Sequence, residues 1–444
     1  MIHAHYHLAG IAGTGMNPLA QMLHLQGYRV SGSDRFTDRG DRVPVLDQLE
    51  QLGIQLAPQD GSALNRETCG LIISTAIEAD NPEIIRARQL NIPVLHRAEM
   101  LAQLVKGKHL IAITGTSGKT TTTGMTGYLL EQVGMDPNVV NGGVIVNWAN
   151  KSRIGNVRKG HSDLWVIELD ESDRSLLNFH PETAVITSMT ADHFPLAETI
   201  DLFQNFSAQV SDVVISGPGV REHLKGYAHA RIVEHRGTYV SCPFGYHFHH
   251  EGTDFHVHLP GQHNALDAHL AVQLCMARGV PPAALVEPLM QFQGIERRLQ
   301  KVGDGSVKVY DEYAHNPEKI AAAWTAIAES ANHIVGCWRP HGYGPLAALA
   351  DDLADTWEQV CRPTDRLFIL PVYYVGGTTS REMEAETFVE QLQARDVPAV
   401  FAPDYAGFEE AAVTYASSGD AILVMGARDP ELTACARRLG ERLS

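Results

Sequence analysis

Ile111-Ala-Ile-Thr-Gly115-Thr-Ser-Gly118-Lys119-Thr120-Thr-Thr-Thr-Gly-Met125 is an apolar run that breaks into glycines, a lysine and threonines and then continues with helical character. An apolar run of this length reads as a buried strand, and glycine-rich sequence directly after it marks the end of the sheet where α/β folds place ligands. The chemistry of Gly115-x-x-Gly118-Lys119-Thr120 is that of a phosphate cradle. Glycines let backbone N–H groups turn toward an anion, and the following helix aims its positive end at the same point. Lys119 adds a point charge and the Thr120 hydroxyl is placed to ligate Mg²⁺. The longer form of this motif needs glycine at position 113, which is Ile113. The reading predicts ATP and Mg²⁺ as ligands, held by Gly115, Thr116, Ser117, Gly118, Lys119, Thr120 and Thr121.

Outward from the cradle, strand-like and helical runs alternate in both directions, which is the pattern of βαβ units. Before it come strands at His5–Ala9, Tyr28–Ser31, Leu71–Ser74 and Ile92–Leu95, with a helix over Pro18–Gln26. After it come strands at Leu164–Leu169, Thr183–Thr187 and Asp212–Ser216, hairpin-like sequence over Tyr239–Leu259, and a helix over Ala265–Arg278. From Val307 the alternation resumes, with strands at Val307–Tyr310, His333–Cys337, Arg366–Leu370, Ala399–Ala402 and Ala421–Met425. The expected fold class is α/β in three domains: 1–107, 108–295 and 296–444. At about 150 residues per domain, 444 residues fit that number.

Lys plus Arg is 35 and Asp plus Glu is 52, a net charge of −17. That balance excludes a general affinity for nucleic acid or an anionic membrane, so anionic ligands need local devices such as the cradle. Six cysteines lie far apart with no C-x-x-C pair, which points to reduced thiols in a cytoplasmic protein rather than a disulfide framework. No apolar stretch of about 18 residues occurs.

Other strand ends carry chemistry too. Gly10-x-x-Gly13-x-Gly15-Met16 lies between a strand and a helix, and Asp34 ends the next strand. Such a turn brings backbone close to a diphosphate and a carboxylate within reach of a ribose. It fits NAD, as in an oxidoreductase, or a nucleotide sugar. Val166-Ile167-Glu168-Leu169-Asp170-Glu171-Ser172-Asp173 ends a strand in carboxylates; Glu168 is assigned to the metal, the trailing acids to the loop. His193, after Thr190-Ala191-Asp192, is assigned to a second metal position or the reacting phosphate. Pro260-Gly261-Gln262-His263-Asn264-Ala265-Leu266-Asp267 opens a helix and fits the nucleotide. Asp311 and His315 follow a strand in the third domain, and Arg339 and His341 follow the next. His247, His249, His250, His256 and His258 read as a solvated hairpin.

Taken in order, these motifs resemble the Mur ligases over nearly the whole chain. Ser74-Thr75-Ala76-Ile77, Asn81-Pro82-Glu83, Arg97-Ala98-Glu99-Met100-Leu101 and Gly294 to Arg298 complete the match. The resemblance implies a Rossmann-like N-terminal domain, a central ATPase domain with a mostly parallel sheet, and a Rossmann-like C-terminal domain. It implies a UDP-N-acetylmuramate-like carboxylate activated by ATP as an acyl phosphate, then joined to an amino acid or short peptide, L-alanine being the leading acceptor. Lys119, Glu168, His193 and Arg298 would be catalytic, with Thr120, Glu168 and His193 on the metal. His263, Asn264, Asp267, Asp311 and His315 would join the cradle around ATP. Gly13, Gly15, Met16, Asp34, Ser74, Thr75 and Arg97 would hold the UDP-sugar, and Tyr313, Arg339 and His341 the acceptor. The oligomeric expectation is a monomer or homodimer. The chain departs from the family at Ser117, at Asp267 where the family has an asparagine, and at Gly342 and Pro345, where the family has two arginines. Arg339 is the nearby guanidinium that could stand in for them. Runner-up readings are a murein peptide ligase, a ligase of the same type with other substrates, and a nucleotide-regulated binding module.

Overall fold

Parallel strands buried on both faces need apolar side chains on both, and Leu110-Ile-Ala-Ile113 meets that demand, with each residue 3% exposed or less. The computed structural model describes residues 4–40, 43–191, 193–242, 245–374 and 383–444. Contacts divide the chain into two compact units, one of residues 1–240, 247–257 and 263–294, the other of residues 241–246, 258–262 and 295–444.

Two parallel-rich sheets lie in the first unit. Five parallel strands run in the order Gln55–Ala57, Arg29–Ser33, His5–Ala9, Thr68–Ile73, Val94–His96. The seven-stranded sheet runs Arg231–Glu234, Val213–Ser216, Thr183–Ile186, His109–Thr114, Leu164–Glu168, Asn138–Val140, Val157–Arg158. Only its last pair is antiparallel. The cradle strand is therefore central, with Ile113 level with Val185 on one side and Glu168 on the other. That register brings the carboxylates after Leu164–Glu168 and the loop after Thr183–Ile186 to the same end of the sheet as the cradle.

The second unit is built on six strands in the order Gln300–Asp304, Lys308–Glu312, Ala421–Gly426, Ile334–Arg339, Arg366–Ile369, Ala399–Phe401, parallel except for the first pair. Trp324, Trp338, Trp357 and Phe388 pack as a ring cluster on one face of it. The hairpin-like stretch forms a three-stranded sheet of Val240–Cys242, Gly245–His250 and Thr253–Val257.

Helix beginnings separate structural from ligand-facing ends. Asp34, Asn81 and Asn316 each accept a hydrogen bond from an amide of the helix they precede. The helices Met16–Leu25 and Lys119–Gln132 instead follow Gly15 and Gly118, which offer no side-chain cap. The first amides of Lys119–Gln132 remain open for an anion, whereas the Met16 and Asn17 amides already donate to the Gly13 carbonyl at 2.9 Å. Short strands at Gln55–Ala57, Asn138–Val140, Arg231–Glu234 and Gln300–Asp304 add to those expected from sequence. They are short, some of them polar, and all but Asn138–Val140 are edge strands, so pairing rather than an apolar run makes them strands.

Candidate active site

The cradle is shaped by two glycines that no other residue replaces. Gly115 has φ 133° and Gly118 φ 84°; a Cβ at Gly115 would lie 2.1 Å from Thr187 Oγ1, and one at Gly118 would lie 2.4 Å from Asp267 Oδ1. Asp267, in helix Gln262–Ala277 and only 5% exposed, thus stands against the cradle. Asn264, one turn earlier, is buried as well, and His263 is exposed. A second loop holds the cradle from the opposite side. Thr116 Oγ1 is 3.0 Å from Ser188 Oγ and 2.9 Å from Thr190 Oγ1, while the Ser117 N–H donates to Ser188 Oγ at 2.9 Å.

Lys119 Nζ donates to the Gly115 carbonyl at 2.8 Å and to Glu171 Oε2 at 2.7 Å. The Glu171 side chain is 2% exposed, and its other oxygen is buried without a hydrogen bond. The Thr120 hydroxyl donates to Glu168 Oε1 at 2.8 Å, and Glu168 Oε2 accepts from the Gly142 amide at 2.6 Å. A hydroxyl and a carboxylate this close, beside open helix amides, fit Mg²⁺ bound with phosphate oxygens. The orphaned Glu171 oxygen shows that this pocket has polar capacity to spare. His193 is exposed in the loop after Thr190, and Asp192 lies outside the described residues. Among the described residues no three His, Cys, Asp or Glu side chains form a metal cluster.

The glycine turn of the first sheet gathers its expected residues. Asp34 Oδ2 accepts from the Ala12 amide at 2.9 Å, and the Arg97 guanidinium lies over Gly15, 3.0 Å from where a Cβ would be. Ile77, in the Ser74–Ile77 turn, approaches Gly10 to 3.3 Å on the same basis. Met16 is buried; Ser74 is half-buried and Thr75 exposed. Arg97 reaches across to Asp173 Oδ2 at 3.1 Å and stands 3.7 Å from Asp170. Burial pushes the Asp173 carboxyl up, but the Ser175 hydrogen bonds and the Arg97 charge outweigh it and hold the group below its usual range. The acids after Glu168 are therefore tied down. Glu171 and Asp173, read from sequence as loop acids, are the anchors of Lys119 and Arg97, and only their place in a carboxylate cluster directly after a buried strand hinted at it.

In the second unit, Tyr313, His315 and His341 come together, with His315 5.5 Å from Tyr313 and 5.0 Å from His341 between ring centroids. Burial lowers the His315 pKa to about 4 and lowers that of His341 as well. Arg298 is exposed, 5.7 Å from the Tyr313 ring, whereas Arg297, with φ 58°, folds inward to 4.8 Å from that ring and 3.5 Å from Asp311. Asp311 is fully buried and its carboxyl is pushed up by desolvation despite Arg297. Asp311 is thus enclosed beside Arg297 in this unit. Arg339 is likewise engaged: it donates to the Pro371 carbonyl at 2.9 Å, to the Tyr405 hydroxyl at 3.2 Å and to Asp429, between the rings of Tyr373 and Tyr405. Asp429 neutralises it, so its charge is already engaged within this unit. His250 also departs from the solvated-hairpin reading, since its Nδ1 lies 2.9 Å from Nε2 of the buried His269.

Comparison with known proteins decides the family. The chain is 32% identical to the UDP-N-acetylmuramate–L-alanine ligase of Solibacter usitatus over 450 residues, covering 95% of this chain and 92% of that protein. The chain belongs to the Mur ligase family. Three family models match it: the Mur ligase family catalytic domain at 5–109, the Mur ligase middle domain at 113–209, and the Mur ligase glutamate ligase domain at 297–428. The corresponding Xanthobacter autotrophicus ligase is 32% identical over 95% of this chain and 93% of that protein. The crystal structure of the UDP-N-acetylmuramate–alanine ligase of Thermotoga maritima superposes with a TM-score of 0.80 at 25% identity, covering 99% of both chains. A murein peptide ligase from Psychrobacter arcticus shares the fold, with a TM-score of 0.67 at 20% identity and 99% and 98% coverage. As a Mur ligase the chain is an ATP-dependent enzyme that forms carbon–nitrogen bonds, on a three-domain α/β fold.

Proposed function

We propose that this Mur ligase joins L-alanine to UDP-N-acetylmuramate in the cytoplasm. The lactyl carboxylate takes the γ-phosphoryl group of ATP to give an acyl phosphate and ADP. The amine then attacks the acyl carbon, the C–O bond to phosphate breaks, and inorganic phosphate leaves as the amide forms. The observation that carries this reading is the pairing of Lys119 with Glu171 and of Thr120 with Glu168 at the mouth of an uncapped helix. Names of relatives supply the substrates.

Phosphoryl transfer asks the protein for alignment and charge neutralisation. The cradle amides and Lys119 would bind the phosphates, Lys119 exchanging Glu171 for a phosphate oxygen. Thr120 and Glu168 would hold Mg²⁺, which when bound offsets charge on the transferring group. His193 is assigned to the reacting phosphate; His263, Asn264 and Asp267 to the nucleotide; and the turn of Gly13, Gly15 and Met16, with Asp34, Ser74, Thr75 and Arg97, to the UDP-sugar. From the second unit, Arg298, Asp311 and His315 are assigned to the nucleotide and Tyr313, Arg339 and His341 to the acceptor. The domain limits proposed are 1–107, 108–295 and 296–444.

The test is ADP release with UDP-N-acetylmuramate and a panel of amino acids and short peptides. L-alanine should give the highest kcat/KM, and Lys119→Ala should abolish ADP formation while leaving UDP-sugar affinity intact. Undiminished turnover in that variant defeats the assignment. A panel in which a tripeptide outperforms L-alanine assigns the chain to peptide ligation instead, a reading that the engaged Arg339 and the glycine and proline at 342 and 345 keep open.

A further inference from the structure

A cavity of about 450 Å³ lies in the first unit at the foot of the seven-stranded sheet, around the first residues of the cradle strand. Leu110 lines it, and four residues of strand at about 3.3 Å each separate Leu110 from Thr114, so cavity and cradle are roughly 13 Å apart at opposite ends of one strand. Its floor is apolar, made of Val105, Leu110 and Phe179, all 6% exposed or less. Its rim carries Lys106, Lys108 and His180, and no carboxylate lines it. Lys108 is paired with Asp163 at 2.5 Å; Lys106 and His180 are exposed to solvent. In a chain of net charge −17, a basic-rimmed cavity free of acids, of the size small ligands occupy, selects an anion with an apolar body.

The walls connect it to both nucleotide-facing turns. One wall ends helix Arg97–Leu104, whose first residue covers Gly15 and pairs with Asp173. The other, Asn178–His180, continues the short helix Ser175–Asn178 that follows the Asp170–Asp173 loop, where Glu171 holds Lys119. These two helices pack on each other. A ligand wedged between their far ends acts on the segments that position Arg97 and Lys119.

We infer that this cavity is a regulatory site for a small amphipathic anion, with its acidic group on Lys106 and His180 and its apolar part on Val105, Leu110 and Phe179. Binding there is independent of which substrates the ligase joins; the effect on ATP rests on the proposed cradle. An effector of this kind shifts activity only by its differential affinity for the two arrangements of the walls.

Phenyl phosphate is a suitable probe, titrated calorimetrically into the full chain with Mg-AMP-PNP and UDP saturating the proposed nucleotide sites. One equivalent should bind, and inorganic phosphate, lacking the apolar contact, should bind about tenfold more weakly. Lys106→Glu should weaken phenyl phosphate by about tenfold or more. Gln103→Trp, at an exposed helix position on the rim, should block the cavity while leaving basal ADP release unchanged. In wild type the probe should shift the KM for ATP at least about twofold, and in Gln103→Trp it should not. Equal affinity in wild type and both variants, or inorganic phosphate binding as tightly as the probe, overturns the site. Binding with no change in any ATP parameter overturns its regulatory role. Loss of ADP release in unliganded wild type would instead count against the ligase reading and leave the binding result standing.

Discussion

At the residue scale, pairing decides what a charged side chain is available to do. Lys119 and Arg339 are both half-enclosed cations with a buried acidic partner, Glu171 and Asp429 respectively. Their surroundings differ. Lys119 sits among open amides and a carboxylate with a free oxygen, so an incoming phosphate meets donors already aligned. Arg339 is sandwiched by two tyrosines and hydrogen-bonded on several sides, so moving it would strip Asp429, 4% exposed, of its counter-charge. Removing one partner of a buried pair costs about 3–5 kcal/mol. Arg339→Ala should therefore lower the melting temperature of the second unit by several degrees and raise the KM for the amine in the molecules that remain folded. A normal melting temperature would defeat the structural role, and an unchanged amine KM the assignment to the acceptor.

Among elements, two of the helices that follow glycine, Met16–Leu25 and Lys119–Gln132, are assigned the ligand chemistry, and backbone conformation there is as demanding as any side chain. Gly118→Ala places a Cβ against Asp267 in a left-handed conformation, which costs an L-residue about 1–2 kcal/mol before any clash is counted. The KM for ATP should rise at least about tenfold, since 1.4 kcal/mol is a factor of ten, with UDP-sugar affinity unchanged; an unaltered ATP KM would show that the cradle tolerates the change. This glycine pattern, with its flanking apolar strand, is why the cradle and the glycine turn could be read from sequence. Strands at residues 109–114, 164–168, 183–186 and 366–369 were equally legible, because burial on both faces imposes a largely apolar run, and strand 5–9 was legible from the glycine turn that follows it. What sequence could not give was the partner of each charge. Nothing local to Glu171, Asp173 or Asp429 distinguishes an acid that anchors a cation from one in a solvated turn; the sheet register does that by setting strand ends side by side. The reverse holds at Asp311, whose motif looked ligand-facing and whose strand position encloses it.

For the molecule as a whole, buried titratable groups make the two units answer acid differently. In the first unit burial lowers the pKa of His5 to about 4 and of His269 to about 3, below the ordinary 6.5. The unfolded chain therefore takes up those protons first. The stability that neutral histidines contribute is complete above pH 6.5 and is lost progressively as pH falls toward 4, by about 1.4 kcal/mol per pH unit for each proton the fold excludes. In the second unit His315, at about 4, acts in the same direction, but burial raises the carboxyls of Glu296, Asp311 and Glu312. A raised carboxyl binds its proton more readily in the folded chain than in the unfolded one, so these groups strengthen the fold as pH falls toward their ordinary values near 4 and work against His315 and His341. Between pH 7 and pH 5 the first unit should lose more stability than the second. Hydrogen exchange read peptide by peptide, corrected for the intrinsic pH dependence of exchange, checks this: protection over 5–9 and 262–277 should fall more than protection over 308–312 and 421–426. Equal loss across both sets would mean that the buried carboxyls of the second unit are ionised in the folded state, and that Arg297 and Arg298 rather than protons balance them.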